Sequence, residues 1–260
     1  MNRRRFLAFT GAALASSLVD STWGRPLATR DPSLNIKAIA FDAFPIFNPS
    51  PVFTLAEQLF PGNGPALSDE WRTRQFEYTW LRMATHHYAD FWQITQDALA
   101  FAANKLKLEL TADKREALMN AYLKLNVWPE VPSVLNRLKT LGLQLTFLSN
   151  FTQGMLDANI KHAGFEKLFD HVISTDQAST YKPDPRAYEL GIEALGLKRN
   201  EVLFAAFAGW DASGAKLFGY PTFWVNRLKL PVEELDAVPD ASGGSLLDLV
   251  QFLEMKAGSA

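Results

Sequence analysis

Residues 38–47, AIAFDAFPIF, decide the fold that we expect for the rest of the chain. Apolar residues run without alternation from Ile36 to Phe41, a pattern typical of a parallel strand that is buried on both faces. The run stops at a carboxylate, Asp42. Because ligands bind at the carboxyl ends of the strands in open α/β sheets, Asp42 is a candidate site residue. The alternative is an Asp that caps a turn, and three later stretches decide against it.

The composition limits the class of protein. With 260 residues, 48% of them hydrophobic, the chain can form one large domain or two modest ones. The net charge of −2, without a dense Lys/Arg block past residue 30, argues against nucleic acid or an anionic membrane surface as partner. Cys is absent, which excludes disulfides, thiolate metal sites and a Cys nucleophile. A small-molecule site is therefore expected.

The first thirty residues have the pattern of an export signal. Arg3, Arg4 and Arg5 precede an apolar stretch that ends at Val19, and together they resemble a twin-arginine signal. A short amphipathic helix is the alternative. The stretch is too short to span a bilayer comfortably, so we expect a periplasmic protein without a membrane anchor after processing. Cleavage near residue 15 and cleavage near residue 28 both remain open. Removal of residues 1–30 leaves 21 basic and 27 acidic residues.

A mostly helical block is expected directly after the first strand, over residues 50–127. It contains no convincing strand pattern. Helix N-termini are predicted by cap residues at three places, residues 68–70, Asp90 and Thr111. Its position indicates a cap domain over the strand ends, inserted into a core domain that comprises residues 35–49 and 128–260.

Strands and helices alternate from residue 128 onward. The predicted strands are 143–148, 171–174, 202–207 and 222–225, and the predicted helices are 131–140, 154–163, 185–194, 212–217 and 246–254. Residues 240–244 are predicted as a loop. Strands that alternate with helices imply βαβ crossovers, so we predict an α/β, Rossmann-like core with a mostly parallel sheet.

Polar residues follow three more of the predicted strands. They are Ser149 and Asn150, then Lys182, then Asp211. Singly, these residues suit a turn, a helix start and a helix N-cap. In this order after successive strands, together with Asp42, they predict one site.

These stretches resemble the haloacid dehalogenase superfamily and, within it, the L-2-haloacid dehalogenases. FDAFPIF matches the first motif of the family, FLSNFT the second, YKPDPRAYEL the third and LFAAFAGWDASGAKLFGYPTFWVNR the fourth. In the cap, EWRTRQFEYTWLRM matches the segment that supplies an Arg, here Arg72. The resemblance runs from about residue 35 to the C-terminus and implies a Rossmann-like core with an inserted helical cap.

One position argues against phosphatase chemistry. Phosphatases of the superfamily carry a second Asp two residues after the first, which protonates the leaving group and helps to hold magnesium. Phe44 stands there in this chain, and Asp211 lacks the usual acidic neighbour. A Mg²⁺-dependent phosphatase is thus disfavoured, and neither a metal nor another cofactor is expected.

The resemblance implies a residue for each step of carbon–halogen cleavage. Asp42 would displace halide from C2 of a small haloacid, and water would then hydrolyse the resulting ester. Lys182 would stand between the substrate carboxylate and Asp42 and keep both Asp residues ionised. Ser149, with nearby backbone N–H groups, would hold the substrate carboxylate. Asp211 would orient or deprotonate the hydrolytic water.

The other matched residues would surround the leaving halide. Arg72, Asn150 and Phe91 would form a water-poor cradle, and Tyr188 would brace Lys182. An apolar wall would consist of Phe44, Phe76 and Trp210. For these three residues a place in the core remains the alternative.

Four positions depart from the family pattern. Pro45 and Ile46 stand where Gly and Thr are usual, and Ala206 and Ala208 stand where Ser and Asn are usual. Two functions therefore stay open: a hydrolytic dehalogenase with altered substrate range or weak activity, or a catalytically retired protein that binds small carboxylates. Assembly as a homodimer is also left open.

Overall fold

A six-stranded sheet, parallel throughout, forms the centre of the computed structural model, which describes residues 35–257. The predicted signal at residues 1–30 lies outside the described residues. In chain order, the strands of the described part are β1 Ala38–Phe41, β2 Phe47–Asn48, β3 Asn126–Val127, β4 Gln144–Ser149, β5 His171–Ser174, β6 Val202–Ala206, β7 Thr222–Val225 and β8 Ala241–Gly243. The sheet has the order β5-β4-β1-β6-β7-β8, while β2 and β3 pair separately and antiparallel.

Strand β1 lies in the middle of the sheet because both of its faces are apolar. Ile39 and Phe41 belong to a core cluster on one face, and Ala38 and Ala40 to a cluster on the other. The chain first adds β4 and β5 on one side of β1, then returns to the other side for β6, β7 and β8. Such a reversal opens a crevice at the carboxyl ends of the strands. The predicted α/β, Rossmann-like parallel sheet is confirmed.

The helices cover both faces of the sheet and fill the predicted cap. They are α1 Ala43–Ile46, α2 Ser50–Leu59, α3 Gly64–Ala84, α4 Phe91–Lys105, α5 Ala112–Ala121, α6 Val131–Thr140, α7 Gln153–Ala163, α8 Pro185–Leu195, α9 Gly209–Phe218 and α10 Leu246–Ala257. The side chains of Asp90 and Thr111 cap α4 and α5, as predicted. Helices α2–α5 lie within residues 50–127, but the division into domains stays a prediction. Within residues 35–257, no helix is both apolar enough and long enough to cross a bilayer.

Two contacts hold the helical segment against the rest of the described chain. Its two ends pair as β2 and β3, a pair of two-residue strands that the sequence did not predict. Farther along, Tyr88, which lies between α3 and α4, donates a hydrogen bond from Oη to Asp176 Oδ1. The ring of Tyr88 lies 5.1 Å from that of Tyr181, the residue before Lys182. The helical segment is therefore held both at its two ends and at Tyr88.

Two predicted helix starts and one predicted loop were wrong. Helix α3 begins at Gly64 rather than at residues 68–70, because the carboxylate of Glu57 accepts the N–H groups of Gly62 and Gly64 from outside the helix. Helix α9 begins at Gly209 rather than at residue 212, without a side-chain cap that could have marked the start. Residues 241–243 form β8 rather than a loop, because the exposed edge of β7 supplies the backbone partner.

Candidate active site

The site lies where β1 and its neighbours end. Asp42 follows β1 and is the N-cap of α1, and its Oδ2 accepts the backbone N–H of Phe44 at 3.3 Å. Its own backbone N–H donates to Ala205 O of β6 at 3.1 Å. Because the neighbouring strand and the following turn both hold this residue, the direction in which its carboxylate points is fixed by backbone structure.

Lys182 joins the two predicted carboxylates. Its Nζ lies 2.8 Å from Asp42 Oδ1 and 2.6 Å from Asp211 Oδ2. The side chain of Lys182 is 1% exposed, that of Asp211 2% and that of Asp42 14%. Burial by itself would lower the pKa of Lys182, but the charges of Asp211 and Asp42 outweigh it and raise this pKa. The ammonium therefore stays charged, and Asp42 is the more accessible of the two carboxylates.

The position of Lys182 bears on its two predicted roles. The residue does not line the cavity but lies behind Asp42 and Asp211. Its ammonium contacts both carboxylates from that side with two of its three N–H groups, and its contact with a substrate carboxylate stays a prediction. Its contacts support the other predicted role, which is to keep the pair of carboxylates charged.

Asp211 is enclosed more completely than Asp42. Its Oδ1 accepts the hydroxyl of Tyr188 at 2.7 Å, and its Oδ2 faces Lys182. Burial raises the pKa of Asp211 to about 6; the charge of Asp42 adds to the rise and Lys182 offsets it only in part. The prediction that Tyr188 braces Lys182 was wrong in its partner, because the hydroxyl donates to Asp211 and reaches Lys182 only through it.

Ser149 and Asn150 close the site on the β4 side. The Oγ of Ser149 lies 3.4 Å from Asp42 Oδ1 and accepts the N–H of Phe151 at 3.2 Å. Asn150 Oδ1 accepts the backbone N–H of Lys182 at 2.9 Å and the hydroxyl of Thr175 at 3.3 Å. Since its oxygen is occupied, the amide nitrogen of Asn150 is the end available to a ligand. We call Asp42, Ser149, Lys182, Tyr188 and Asp211 the floor of the site.

A cavity of about 240 Å³ lies above Asp42 and Asp211, and aromatic side chains surround it. All four predicted aromatic residues line it, namely Phe44, Phe76, Phe91 and Trp210. The ring centroids of Phe76 and Trp210 are 5.2 Å apart, and those of Phe44 and Phe207 are 5.7 Å apart. The cavity reading thus holds for these residues, although Phe91 also packs in the core at 1% exposure. We call the cavity-lining residues of α3 and α4, Arg72, Gln75, Phe76 and Phe91, the roof.

Arg72 lines the same cavity but is the most loosely held of the predicted polar residues. Its Nη2 lies 3.3 Å from Asp69 Oδ1, and its side chain is 42% exposed. The guanidinium lies 5.1 Å from the centre of the Phe53 ring. Arg72 is thus a cation of the cavity rim rather than part of the buried ion cluster.

The four departures from the family pattern differ in their surroundings. Pro45, Ile46 and Ala206 are buried, and Ala208 lines the cavity. Helix α9 begins after Ala208, which offers no side chain to cap it. Asp42 and Asp211 nevertheless have hydrogen-bond donors, from Phe44 and Ser149 and from Tyr188. The loss of polar side chains has left the carboxylates hydrogen-bonded.

Several cavity residues were not predicted from the sequence. They are Gln75, Tyr122, Phe151, Phe207 and Glu233, among others. Gln75 lies three positions after Arg72 and so shares its face of α3, a signal that could have identified it. Glu233 lies beyond β7 in a segment without periodicity, where no sequence pattern indicates a site. Within residues 35–257, no cluster of three or more His, Asp or Glu side chains is arranged to hold a metal ion.

Comparison with known proteins agrees with this geometry. Residues 36–219 match the model of a hydrolase family described as haloacid dehalogenase-like hydrolase. The chain is 44% identical over 226 residues to an (S)-2-haloacid dehalogenase of Pseudomonas sp. (strain YL), covering 86% of this chain and 97% of that enzyme.

Two solved structures extend the comparison. The L-2-haloacid dehalogenase RSc1362 has a TM-score of 0.84 and 44% identity, covering 85% of this chain and 99% of that one. The L-2-haloacid dehalogenase from Xanthobacter autotrophicus with chloropropionic acid covalently bound has a TM-score of 0.77 and 33% identity, over 84% of this chain and 98% of that one.

Proposed function

The chain belongs to the haloacid dehalogenase-like hydrolases, and on that premise we propose that it hydrolyses the carbon–halogen bond of small (S)-2-haloacids. A haloacid and water would give a 2-hydroxyacid, a halide ion and a proton. The observation that carries the proposal is the buried pairing of Lys182 with both Asp42 and Asp211 beneath an aromatic cavity. The family match and this pairing together favour hydrolysis over binding alone.

Asp42 is the proposed nucleophile. Lys182 and Ser149 approach its Oδ1, so Oδ2, which accepts only the N–H of Phe44 at 3.3 Å, is the freer oxygen. Attack by this oxygen on C2 forms the aspartyl ester, expels halide and inverts the carbon centre. Asn150, Arg72 and the aromatic rings line the space into which the halide departs.

Asp211 is the proposed base for the second step. Water attacks the carboxyl carbon of the Asp42 ester and gives one proton to Asp211. The ester bond then breaks, and the 2-hydroxyacid leaves with the oxygen that Asp42 first supplied and with the second proton of the water. The pKa of Asp211, raised to about 6 by burial, suits a group that must accept a proton near neutral pH. Lys182, which touches both carboxylates, offsets the negative charge that passes between them.

A single turnover in ¹⁸O-labelled water tests the covalent route. The label should appear in Asp42 while the first 2-hydroxyacid remains unlabelled, and chloro- and bromoacetate and the 2-halopropionates should all release halide. Halide release without label in Asp42 would refute the ester. A haloacid that raises the melting temperature without releasing halide would identify a protein that only binds carboxylates.

We also propose that the chain is exported to the periplasm, on the basis of Arg3, Arg4 and the apolar stretch after them. The doubly substituted variant Arg3→Lys, Arg4→Lys should accumulate in the cytoplasm with unchanged activity, because both residues precede the globular sequence. An unchanged yield of periplasmic protein would show that this pair of residues does not act as an export signal.

A further inference from the structure

The one-turn helix α1, which directly follows Asp42, cannot hold its own shape. A helix of four residues is far below the length at which isolated helices are stable. Its carbonyl groups lie too close to its end to find partners inside it. The first of them, Ala43 O, accepts the N–H of Phe47. The other three need partners from elsewhere in the chain.

Trp128 and Arg227 supply those partners. Trp128 Nε1 donates to Phe44 O at 2.9 Å, and the backbone N–H of Trp128 donates to Ile46 O at 3.2 Å. Between them, Arg227 Nη2 donates to Pro45 O at 3.1 Å. Each carbonyl of α1 is thus hydrogen-bonded, and three of the four bonds come from two residues remote in sequence.

These two residues also hold each other. The guanidinium of Arg227 lies 4.2 Å from the centre of the Trp128 ring. Its Nη2 is 2.6 Å from Glu130 Oε1, and the side chains of Arg227 and Glu130 are 9% and 14% exposed. The charged hydrogen bond between these two little-exposed side chains is stronger than one on the open surface. We call Trp128, Glu130 and Arg227 the Trp128 clamp.

The clamp connects with the site through a single residue. Phe44 gives its carbonyl oxygen to Trp128 and its N–H to Asp42 Oδ2. The side chains of α1 cannot hold this backbone by hydrogen bonds, because Pro45 and Ile46 carry no polar group and are buried. Displacement of the backbone at Phe44, whose N–H and carbonyl belong to two successive peptide units, would therefore turn the carboxylate of Asp42.

We propose that Trp128, braced by Arg227 and Glu130, is a positioning residue that aims Asp42 at C2 of the substrate. The proposal rests on the proposed role of Asp42 as nucleophile. The clamp acts through Phe44 and touches neither the substrate nor the reacting atoms. It therefore governs the rate of ester formation more than the affinity for the haloacid.

Trp128→Phe tests the proposal, because it removes the indole N–H and keeps an aromatic ring under Arg227. Trp71→Phe is the matched control, since Trp71 Nε1 donates to Thr95 O at 2.8 Å in the cap. We expect Trp128→Phe to slow halide release in a single turnover by about 10- to 100-fold, with KM changed by about twofold or less. Trp71→Phe should lower the melting temperature by a similar amount but leave the rate of ester formation within about threefold.

Arg227 provides a second test. Arg227→Lys can still donate to Pro45 O, so it should retain more activity than Arg227→Met. The double variant Trp128→Phe, Arg227→Met should lose less activity than the product of the two single losses, because both residues hold one helix. Trp71→Phe combined with Arg227→Met should give the simple product.

Hydrogen exchange of residues 43–47 separates failure of the clamp from failure of the proposed function. The amides of this segment should exchange faster in Trp128→Phe than in Trp71→Phe, whether or not the protein releases halide. Equal exchange in the two variants would overturn the clamp, as would equal losses of the single-turnover rate. If the unaltered protein releases no halide, the proposed function fails, and the exchange rates alone decide on the clamp.

Discussion

The floor and the roof of the site face the same cavity but are built in different ways. In the floor, Lys182 is 1% exposed and its ammonium is fixed by two carboxylates. In the roof, Arg72 is 42% exposed and holds one surface carboxylate at 3.3 Å. A charge that is buried among partners cannot be changed without leaving another charge unpaired, whereas a rim charge is screened by water. On the proposed function, we therefore expect the bond-making groups in the floor, while the roof contacts the substrate and the departing halide.

The largest effect that this comparison predicts is at Asp42. Asp42→Asn replaces the nucleophile by an amide and should reduce the rate of halide release by about 10⁴-fold or more. Asp157→Asn is the control, because Asp157 holds only Gln153 on the surface of α7. Halide assays on the purified variants measure both. Retention of more than a few per cent of activity by Asp42→Asn would place the reacting group outside the floor.

Removal of the floor cation should have the next largest effect. Lys182→Met leaves two carboxylates together without a buried partner, so the free energy of unfolding should fall by about 3–5 kcal/mol. The deficit should be greater at pH 8 than at pH 5, since protonation of one carboxylate relieves the repulsion. Urea titrations measure this loss. As the control, Lys139→Met removes an ion pair on the surface and should lower the free energy of unfolding by about 1 kcal/mol or less. Equal losses at the two sites would remove the contrast between buried and exposed charge.

The pH dependence should reflect Asp211 of the floor. If this residue must be ionised to accept a proton, hydrolysis of the ester, measured as formation of the 2-hydroxyacid, should rise about tenfold per pH unit at low pH and then level off. Because the charge of Asp42 that helps to raise the pKa of Asp211 is absent in the ester, the bend should lie below about 6. Tyr188→Phe removes a donor that favours the ionised form, so the midpoint should move to higher pH. A rate of 2-hydroxyacid formation without a bend below pH 7, or a midpoint that moves down in Tyr188→Phe, would exclude Asp211 as the base.

The same group gives a stability effect of opposite sense. Folding raises the pKa of Asp211 from 3.8 to about 6, so the folded protein binds this proton more tightly than the unfolded chain does. The contribution of Asp211 to stability is therefore present at low pH and lost as the pH rises through that interval. Chemical denaturation of Asp211→Asn beside the unaltered chain measures this, since the variant should lack that part of the pH dependence.

The smallest effect is expected in the roof. Phe76→Leu shortens a cavity-lining ring and should change kcat/KM by about tenfold or less, with relatively better use of longer 2-haloacids. Kinetics with 2-bromopropionate and 2-bromohexanoate measure the shift. Phe101→Leu, in α4 but outside the cavity lining, should leave that ratio unchanged. A loss as large as that of Asp42→Asn would mean that the roof takes part in the chemistry.

The sequence predicted the floor better than the surroundings of its members. Asp42, Lys182 and Asp211 could be brought together because parallel strands end at one edge of a sheet, and strand ends are visible as breaks in apolar runs. The partner of the Tyr188 hydroxyl could not be predicted, because Lys182 and Asp211 are adjacent in space and the side-chain torsions decide between them. The start of α9 was missed because Ala208 gives no capping signal.

The walls of the cavity show a second limit of prediction from the sequence. Phe44, Phe76, Phe91 and Trp210, which the resemblance to the family suggested, line the cavity. Phe207 was missed because an apolar residue at the end of a strand suggests a place in the core until the strand and the following helix are located. Glu233 lies between β7 and β8, outside any helix or strand, so no periodic pattern marks it in the sequence.

The spacing of the floor along the chain determines when it can form. Lys182 and Asp211 are 29 residues apart, but Asp42 is 140 residues from Lys182. Contacts that are distant along the chain close large loops and form late, so the pair Lys182–Asp211 can assemble during refolding before Asp42 joins it. Recovery of halide release should therefore lag behind recovery of helical circular dichroism after dilution from urea. A nascent chain on the ribosome that ends before β6 contains the first carboxylate, Asp42, but lacks the second, Asp211. It therefore cannot yet catalyse the proposed reaction.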